Sequence, residues 1–251
     1  MFDEGALTKK LIGLGYQALE DGKSKTTSFG VPPEVQAWFT DLEKYPHLFL
    51  LACIANRQIK AEKAWSIPYN MHLLFNSVEF ESLEKLKSKD WLKLTKQIGH
   101  RFPEKTADSL ELAIKHIRNT YDGNAAKIWN DKPSSAEIIQ RLREFDGVGQ
   151  KIAAMTAQIL VRDFGIEYSD YKRLDIAVDV HTRRVMKRLG LVDQNDSDQE
   201  IIFKARQMNP DFPGVFDLPL WRVGRNFCHE TWPTCESCQL ITYCAFSSNP
   251  K

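Results

Sequence analysis

At 251 residues the chain is long enough to bury a substantial core, in one large domain or two small ones. Its 43% hydrophobic and 27% charged residues are those of an ordinary globular protein, which excludes a low-complexity or disordered chain. A formal net charge of +1 excludes a strongly basic domain, so any contact with a polyanion has to be made by a local cluster. Met1-Phe2-Asp3-Glu4 lacks the basic and apolar regions of a signal peptide. The longest apolar run, Leu48 to Ala55, is too short to span a bilayer. No membrane partner is expected, and the location is cytoplasmic (nucleoid-associated), or nuclear in a cell with a nucleus. Five cysteines are too few for a disulfide scaffold and suit a reducing compartment, but four of them crowd near the C-terminus, as a metal site would require.

In chain order, Leu7 to Leu19 has apolar residues at intervals of three and four and predicts a helix. The polar stretch from Asp21 to Ser28 predicts a loop, closed near Pro32-Pro33, and Pro33 suits the first turn of a helix over Glu34 to Phe39. Leu48 to Ile59 reads as a buried helix turning polar at its end, with Ala61 to Trp65 continuing as helix. Several amphipathic helices follow between Phe80 and Trp129. Leu83, Leu86, Trp91, Leu92 and Leu94 form one packed face, and Leu110, Ala113, Ile114 and Ile117 another. His100 and His116 have no carboxylate or cysteine at ligand spacing and read as structural or surface residues. No convincing strand pattern occurs anywhere.

Ser135 to Phe145 and Ile152 to Leu160 read as two helices joined by Asp146-Gly147-Val148-Gly149-Gln150-Lys151. Two glycines flanking one apolar residue permit a tight turn. Such a turn leaves backbone N–H groups at a helix N-terminus, where they hold a phosphate without reading bases. The plainer alternative is a tight connection between two packed helices. Asp163 to Asp175, with Tyr168-Ser169-Asp170-Tyr171 and Lys172-Arg173, reads as an exposed loop. The apolar run Ile176-Ala177-Val178 then meets Asp179, placed to cap a helix that runs through His181 to Leu189 and stops at Gly190. Lys172, Arg173, Arg183, Arg184, Lys187 and Arg188 flank this stretch as a phosphate-facing patch or a solvated helix face. Gln199 to Met208 and Leu218 to Phe227 are the last helices before the cysteines.

Cys228, Cys235, Cys238 and Cys244 follow the spacing Cys-x6-Cys-x2-Cys-x5-Cys. Structural zinc prefers paired knuckles, and only Cys235 and Cys238 form one. The broader spacing suits a larger cubane held by four thiolates, leaving zinc as the alternative. Cys53, alone in an apolar helix, reads as a small buried hydrophobe.

Together, Gly147-Val148-Gly149-x-Lys151 and Val178-Asp179-x-His181 resemble the signature of the helix-hairpin-helix DNA glycosylases of the endonuclease III superfamily. The resemblance runs from about Pro46 to Cys244. It implies an all-α fold of two helical domains, one over 36–173 with the hairpin, the other combining 1–35 with 174–251, and a DNA-binding cleft between them. It also implies Lys151 as amine nucleophile, Asp179 as essential carboxylate, and a [4Fe–4S] cluster on the four cysteines, whose spacing is the family's. The implied partner is double-stranded DNA with a damaged base or abasic site, bound by a monomer. Gly147, Val148, Gly149, His181, Asn56, Arg57 and Gln58 are the implied DNA contacts. The glutamine that the family places near Ala55 is missing here, which bears on the base removed. The reading is therefore a base-excision glycosylase with AP lyase activity, acting on an oxidised pyrimidine through a lysine Schiff base. The alternatives are a monofunctional mismatch or alkylated-base glycosylase and an inactive DNA-binding protein of the same fold.

Overall fold

A computed structural model describes residues 3–24 and 32–248. Among the described residues there is no strand, and the helices are α1 (Glu4–Ser24), α2 (Pro33–Thr40), α3 (Pro46–Ala55), α4 (Ala61–Trp65), α5 (Ile67–Phe75), α6 (Phe80–Leu83) and α7 (Ser88–Gln97). They continue as α8 (Pro103–Tyr121), α9 (Ser135–Arg143), α10 (Gln150–Phe164), α11 (Val180–Leu189), α12 (Asp198–Met208), α13 (Asp217–Asn226) and α14 (Ala245–Ser248). None is long and apolar enough to cross a membrane. The chain divides into two compact units, residues 26–169 and residues 1–25 with 170–251.

In the first unit α3 is buried along its whole length and is surrounded by α2, α4, α5, α8 and α10. A helix that is apolar all round has no solvent face to turn outward, so it becomes the axis of its unit. Phe49 alone meets the rings of Phe39, Trp129 and Phe164. The helix starts at Pro46, where a proline has no N–H to lose, and ends at Asn56. The chain then breaks instead of running on, with Gln58 in a left-handed conformation before α4 begins. On α7 Trp91 and Leu94 are buried and Leu92 is only half covered, as is Leu86 just before the helix.

The second unit packs Leu7 and Leu11 of α1 against Val185 and Leu189 of α11, Ile201 of α12, Phe212, and Leu220 and Val223 of α13. Each such side chain contributes about 1.5–3 kcal/mol on burial. Helix α1 runs through Asp21 to Ser24, a stretch with the composition of a loop; the remainder of that expected loop lies outside the described residues. The 163–175 segment is less exposed than its polarity suggests. Tyr168 is buried with its hydroxyl donating to the Ala157 carbonyl, and Tyr171 stacks edge-on against Phe212.

Candidate active site

Helix α9 is opened by a reciprocal cap, in which the Ser134 hydroxyl accepts from the Glu137 N–H and the Glu137 carboxylate accepts from the Ser134 N–H. It ends at Arg143, and Phe145 plunges into the core beside His116 and Tyr121. Gly147 then takes a φ of +78°, a conformation that side chains disfavour. A Cβ there would also stand 2.9 Å from the Ser109 hydroxyl and 3.4 Å from an Arg57 nitrogen. Ser109, on α8, donates to the Asp146 carboxylate at 2.6 Å, so the turn is tied to a neighbouring helix.

Gly149 and Gln150 are exposed at the start of α10, and their N–H groups have no acceptor among the described residues. Val148, expected among the DNA contacts, is turned inward: its side chain is 8% exposed and its N–H is used by the Phe145 carbonyl. The middle residue of the turn is an anchor to the core, and the amides open to a phosphate are those that follow it.

Lys151 is the second residue of α10 and is half-buried. Its Nζ lies 3.8 Å from the sulfur of Met155, one helical turn on, and the Asn56 carboxamide nitrogen lies 3.4 Å from that same sulfur. Asn56 is buried, Arg57 half-buried and Gln58 exposed, so these three expected DNA contacts face different surroundings. Beneath them Cys53 is fully buried; burial pushes its thiol up to about 12, opposed by a hydrogen bond with Thr156 and by the charge of Lys151. His100, which from sequence has only a structural role, holds this corner together. One ring nitrogen bonds the Ala55 carbonyl at 3.0 Å and the other accepts from the Phe102 N–H at 3.0 Å.

In the other unit Asp179 caps α11. Its Oδ1 accepts from the backbone N–H of His181 at 2.9 Å and of Thr182 at 2.8 Å. Both bonds fall on one oxygen, and among the described residues Oδ2 accepts none. Gly190 closes the helix with a φ of +80°. His181 packs edge-on against Trp221, with ring centroids 6.5 Å apart. Gly224 lies so close that a Cβ on it would be 2.6 Å from that of His181.

Of the six basic residues that flank Asp179, Lys172 and Arg173 are exposed, whereas the four on α11 are engaged within the protein. Arg184 donates to the carbonyls of Cys228 at 2.6 Å and Gly224 at 2.9 Å. Arg188 donates to the carbonyls of His229 at 2.6 Å and Glu230 at 2.8 Å and lies 3.4 Å from the Cys228 sulfur. Arg183 pairs with Asp198, and Lys187 donates to the Gln194 carbonyl. Arg184 and Arg188 thus bind α11 to the cysteine segment. Cys228 to Cys244 itself contains no lysine or arginine, so it cannot present basic side chains to a phosphate.

All four cysteines are half-buried and line one cavity with Val185, Leu189, Val223 and Leu240. About 380 Å³ of it is free of atoms, part of that open to solvent. Burial first, and then the neighbouring thiols, push the Cys235 thiol up. For Cys238 burial again dominates, partly offset by a hydrogen bond with the Leu240 backbone, and the other three thiols add to it. No three His, Cys, Asp or Glu side chains among the described residues converge closely enough to hold a single metal ion. Four thiols lining one apolar cavity are a donor set that suits a thiolate-bound metal centre.

Among the described residues the chain is helical throughout its regular structure, with a glycine hairpin in one unit and a helix-capping aspartate in the other. Residues 51–210 match the family model for the HhH-GPD superfamily of base excision DNA repair proteins, and the chain belongs to that family as a DNA glycosylase. It is 26% identical over 170 residues to endonuclease III of Sulfolobus acidocaldarius, covering 61% of this chain and 71% of the relative. It is 28% identical over 139 residues to an 8-oxoguanine DNA glycosylase/AP lyase of Thermotoga petrophila, covering 50% of this chain and 58% of that one. Its fold superposes on a non-covalent endonuclease III–DNA complex with a TM-score of 0.66 at 18% identity, over 99% of this chain and 98% of the other. The family match ends before the cysteines, so it does not bear on them.

Sequence did not single out Met155 or Ser109, and it marked Arg184 and Arg188 only as members of a basic cluster. Met155 had a visible signal, since it stands four residues after Lys151 on the same helix face. The other three act through partners distant in the chain, which no local pattern displays.

Proposed function

We propose that this chain removes an oxidised base from duplex DNA and cleaves the abasic strand through Lys151. The observation that carries the proposal is the setting of that lysine. It is the second residue of the hairpin helix, half-buried, with its Nζ 3.8 Å from the Met155 thioether. In the first turn of a helix the amine meets the positive end of the helix dipole, the kind of setting in which a lysine serves as nucleophile.

The amine lone pair attacks C1′ of an extruded nucleotide, and the glycosidic bond breaks with its electron pair leaving on the base. The amine loses its proton and the C1′–O4′ bond breaks, its electron pair going to the ring oxygen, which is protonated, so that an iminium forms between Nζ and C1′ of the opened sugar. Loss of a C2′ proton then expels the 3′ phosphate by β-elimination, and water hydrolyses the imine. Asp179 stabilises the positive charge that develops at the sugar, through the oxygen that helix capping leaves unused. The amides of Gly149 and Gln150 hold a backbone phosphate, and His181, Arg57 and Gln58 make further contacts to the DNA. The chain works as a monomer.

Cys228, Cys235, Cys238 and Cys244 would hold a [4Fe–4S] cluster, a reading supported by their spacing and by the one cavity they line. When bound, the cluster fixes the shape of the segment; the arginines of α11 do the rest by holding its carbonyls. Similarity to an 8-oxoguanine DNA glycosylase/AP lyase supports an oxidised base; the family resemblance makes pyrimidines the first reading and 8-oxoguanine the second.

Borohydride trapping on a duplex with an abasic site tests the nucleophile. The wild type is expected to form a covalent adduct and Lys151→Ala none; an adduct with the variant assigns the amine elsewhere. Absence of an adduct with wild type, together with base release, means a monofunctional glycosylase. Release measured over duplexes carrying oxidised pyrimidines, 8-oxoguanine, mismatches and alkylated bases identifies the substrate.

A further inference from the structure

Lys89, Lys93 and Lys96 recur at intervals of four and three along α7 and therefore share one face of the helix. All three are exposed, and with Leu92 and Gln97 they line one open groove. Like charges at this spacing repel one another, and a solvated face usually intersperses carboxylates among them. Here three carboxylates of α7 and its neighbours are engaged elsewhere. Asp90 accepts from the Lys87 N–H at 2.9 Å, Glu84 pairs with Arg118, and Glu111 takes both Lys115 and Ser88 at 2.6 Å. Among the described residues none of the three lysines makes an ion pair.

The row of cations continues past the helix. Just beyond α7 the Gly99 carbonyl accepts from the Lys63 ammonium at 3.2 Å, and Arg101 follows, exposed. His100, between them, bonds the Ala55 carbonyl. Two residues on from Ala55, Arg57 approaches Gly147 of the hairpin. Lys89, Lys93, Lys96, Lys63, Arg101 and Arg57 thus lead, within one unit, from the α7 groove to the hairpin. At a rise of 1.5 Å per residue, Lys89 to Lys96 covers about 10 Å. That is about three phosphates of one strand at 3.4 Å per step.

We infer that the exposed lysine face of α7 is a second contact for duplex DNA, a phosphate track continuing the footprint of the hairpin. The inference rests on the reading that the hairpin grips duplex DNA. It adds a surface that holds undamaged duplex without regard to sequence, beside the place where the lesion is processed.

The test is the binding of two undamaged duplexes, one of about 10 base pairs, roughly one helical turn, and one of about 30. Wild type is compared with the triple variant Lys89→Gln/Lys93→Gln/Lys96→Gln over a range of salt. A second triple, Lys115→Gln/Lys127→Gln/Lys132→Gln, removes the same charge from lysines already paired with Glu111, Asp122 and Glu167. On the long duplex the α7 triple is expected to flatten the slope of log K against log salt by about 2–3 and weaken binding at least about tenfold at low salt. The short duplex and the melting temperature are expected to stay as in wild type. Equal slopes for wild type and the α7 triple, or an equal loss from both triples, overturns the track while leaving the hairpin reading intact. A wild-type chain that holds neither duplex overturns both.

Discussion

Nη2 of Arg184 lies 3.0 Å from Nδ1 of His181. A guanidinium has only donors, so Nδ1 accepts and the ring proton sits on Nε2. The same guanidinium holds the carbonyls of Gly224 and Cys228, joining three segments of one unit: the helix that Asp179 caps, α13 and the cysteine segment. Arg184→Ala strands two carbonyls and a ring nitrogen, at a cost of about 2–3 kcal/mol. In a chain of this size that lowers the melting temperature by about 5–10 °C. Arg184→Lys is expected to recover little, because an ammonium lacks the fork that spans three acceptors. A melting curve unchanged by Arg184→Ala would show that the network contributes nothing to stability.

Asp179 has a structural role and a proposed chemical one, and two substitutions separate them. Asparagine keeps an oxygen that can accept from the His181 and Thr182 amides, so Asp179→Asn is expected to melt within about 0.5 kcal/mol of wild type while losing base release. Asp179→Ala loses the cap as well and is expected to cost about 1 kcal/mol. Should Asp179→Asn release a lesion base at the wild-type rate, the carboxylate is only a cap.

Much of this was legible because it is local. The hairpin, the buried α3, the aspartate with its stop at Gly190 and the cysteine spacing each lie within one short stretch of chain. What was not legible depends on what a face meets. The arginines after Asp179 have the spacing of a solvated face, yet Arg184 and Arg188 turn toward carbonyls some 40 residues further along the chain. Val148 sits between two glycines in a phosphate-binding pattern but packs inward. Asp21-Gly22-Lys23-Ser24 has loop composition, but α1 continues through it. Tyr168 lies in a polar stretch, and only the fold supplies the Ala157 carbonyl that its hydroxyl bonds.

The two hairpin glycines serve different purposes, which alanine distinguishes. Gly147→Ala introduces a Cβ at a positive φ and against the Ser109 hydroxyl, and is expected to destabilise by about 1–2 kcal/mol. Gly149 has an extended φ of −90°, and a Cβ on it meets nothing within 4 Å. Gly149→Ala is expected to melt like wild type but to bind duplex DNA several-fold more weakly, because the added methyl keeps a phosphate from the amides of Gly149 and Gln150. Wild-type DNA affinity in a stable Gly149→Ala chain would remove the hairpin from the interface.

Stability should fall on mild acidification. Burial holds both His47 and His100 below the ordinary histidine value of 6.5. Their backbone partners, the Val78 and Ala55 carbonyls, are already served by the neutral rings. Below that pH the unfolded chain takes up protons that the folded chain refuses, so their contribution is complete above it and is lost as pH falls through it. Asp131, held low by Arg141, acts in the same direction in a more acidic window, below its ordinary 3.8. The melting temperature is expected to be level from about pH 8 to 7 and to drop between about 6.5 and 5. His47→Gln/His100→Gln, whose amides can still donate to the two carbonyls, should flatten that drop. An unaltered profile would place the titrating groups elsewhere.

The cysteines offer the sharpest contrast between two uses of one side chain. Cys53 is fully buried in α3 and hydrogen-bonded with Thr156, so Cys53→Ala removes one small buried group, costs about 1 kcal/mol and leaves metal content unchanged. Cys238 shares its cavity with three other thiols and with Val223 and Leu240. Through Cys228 the same segment is bonded to Arg184 and Arg188 of the Asp179 helix. Cys238→Ser is therefore expected to lose most of the iron and acid-labile sulfide, about four of each per chain in wild type. The arginine contacts loosen with the segment, and the melting temperature falls well beyond that of Cys53→Ala. Wild-type protein carrying zinc and neither iron nor sulfide rejects the cluster. Full iron retention in Cys238→Ser would exclude this cysteine as a ligand, since a serine oxygen is a poor substitute for thiolate on iron.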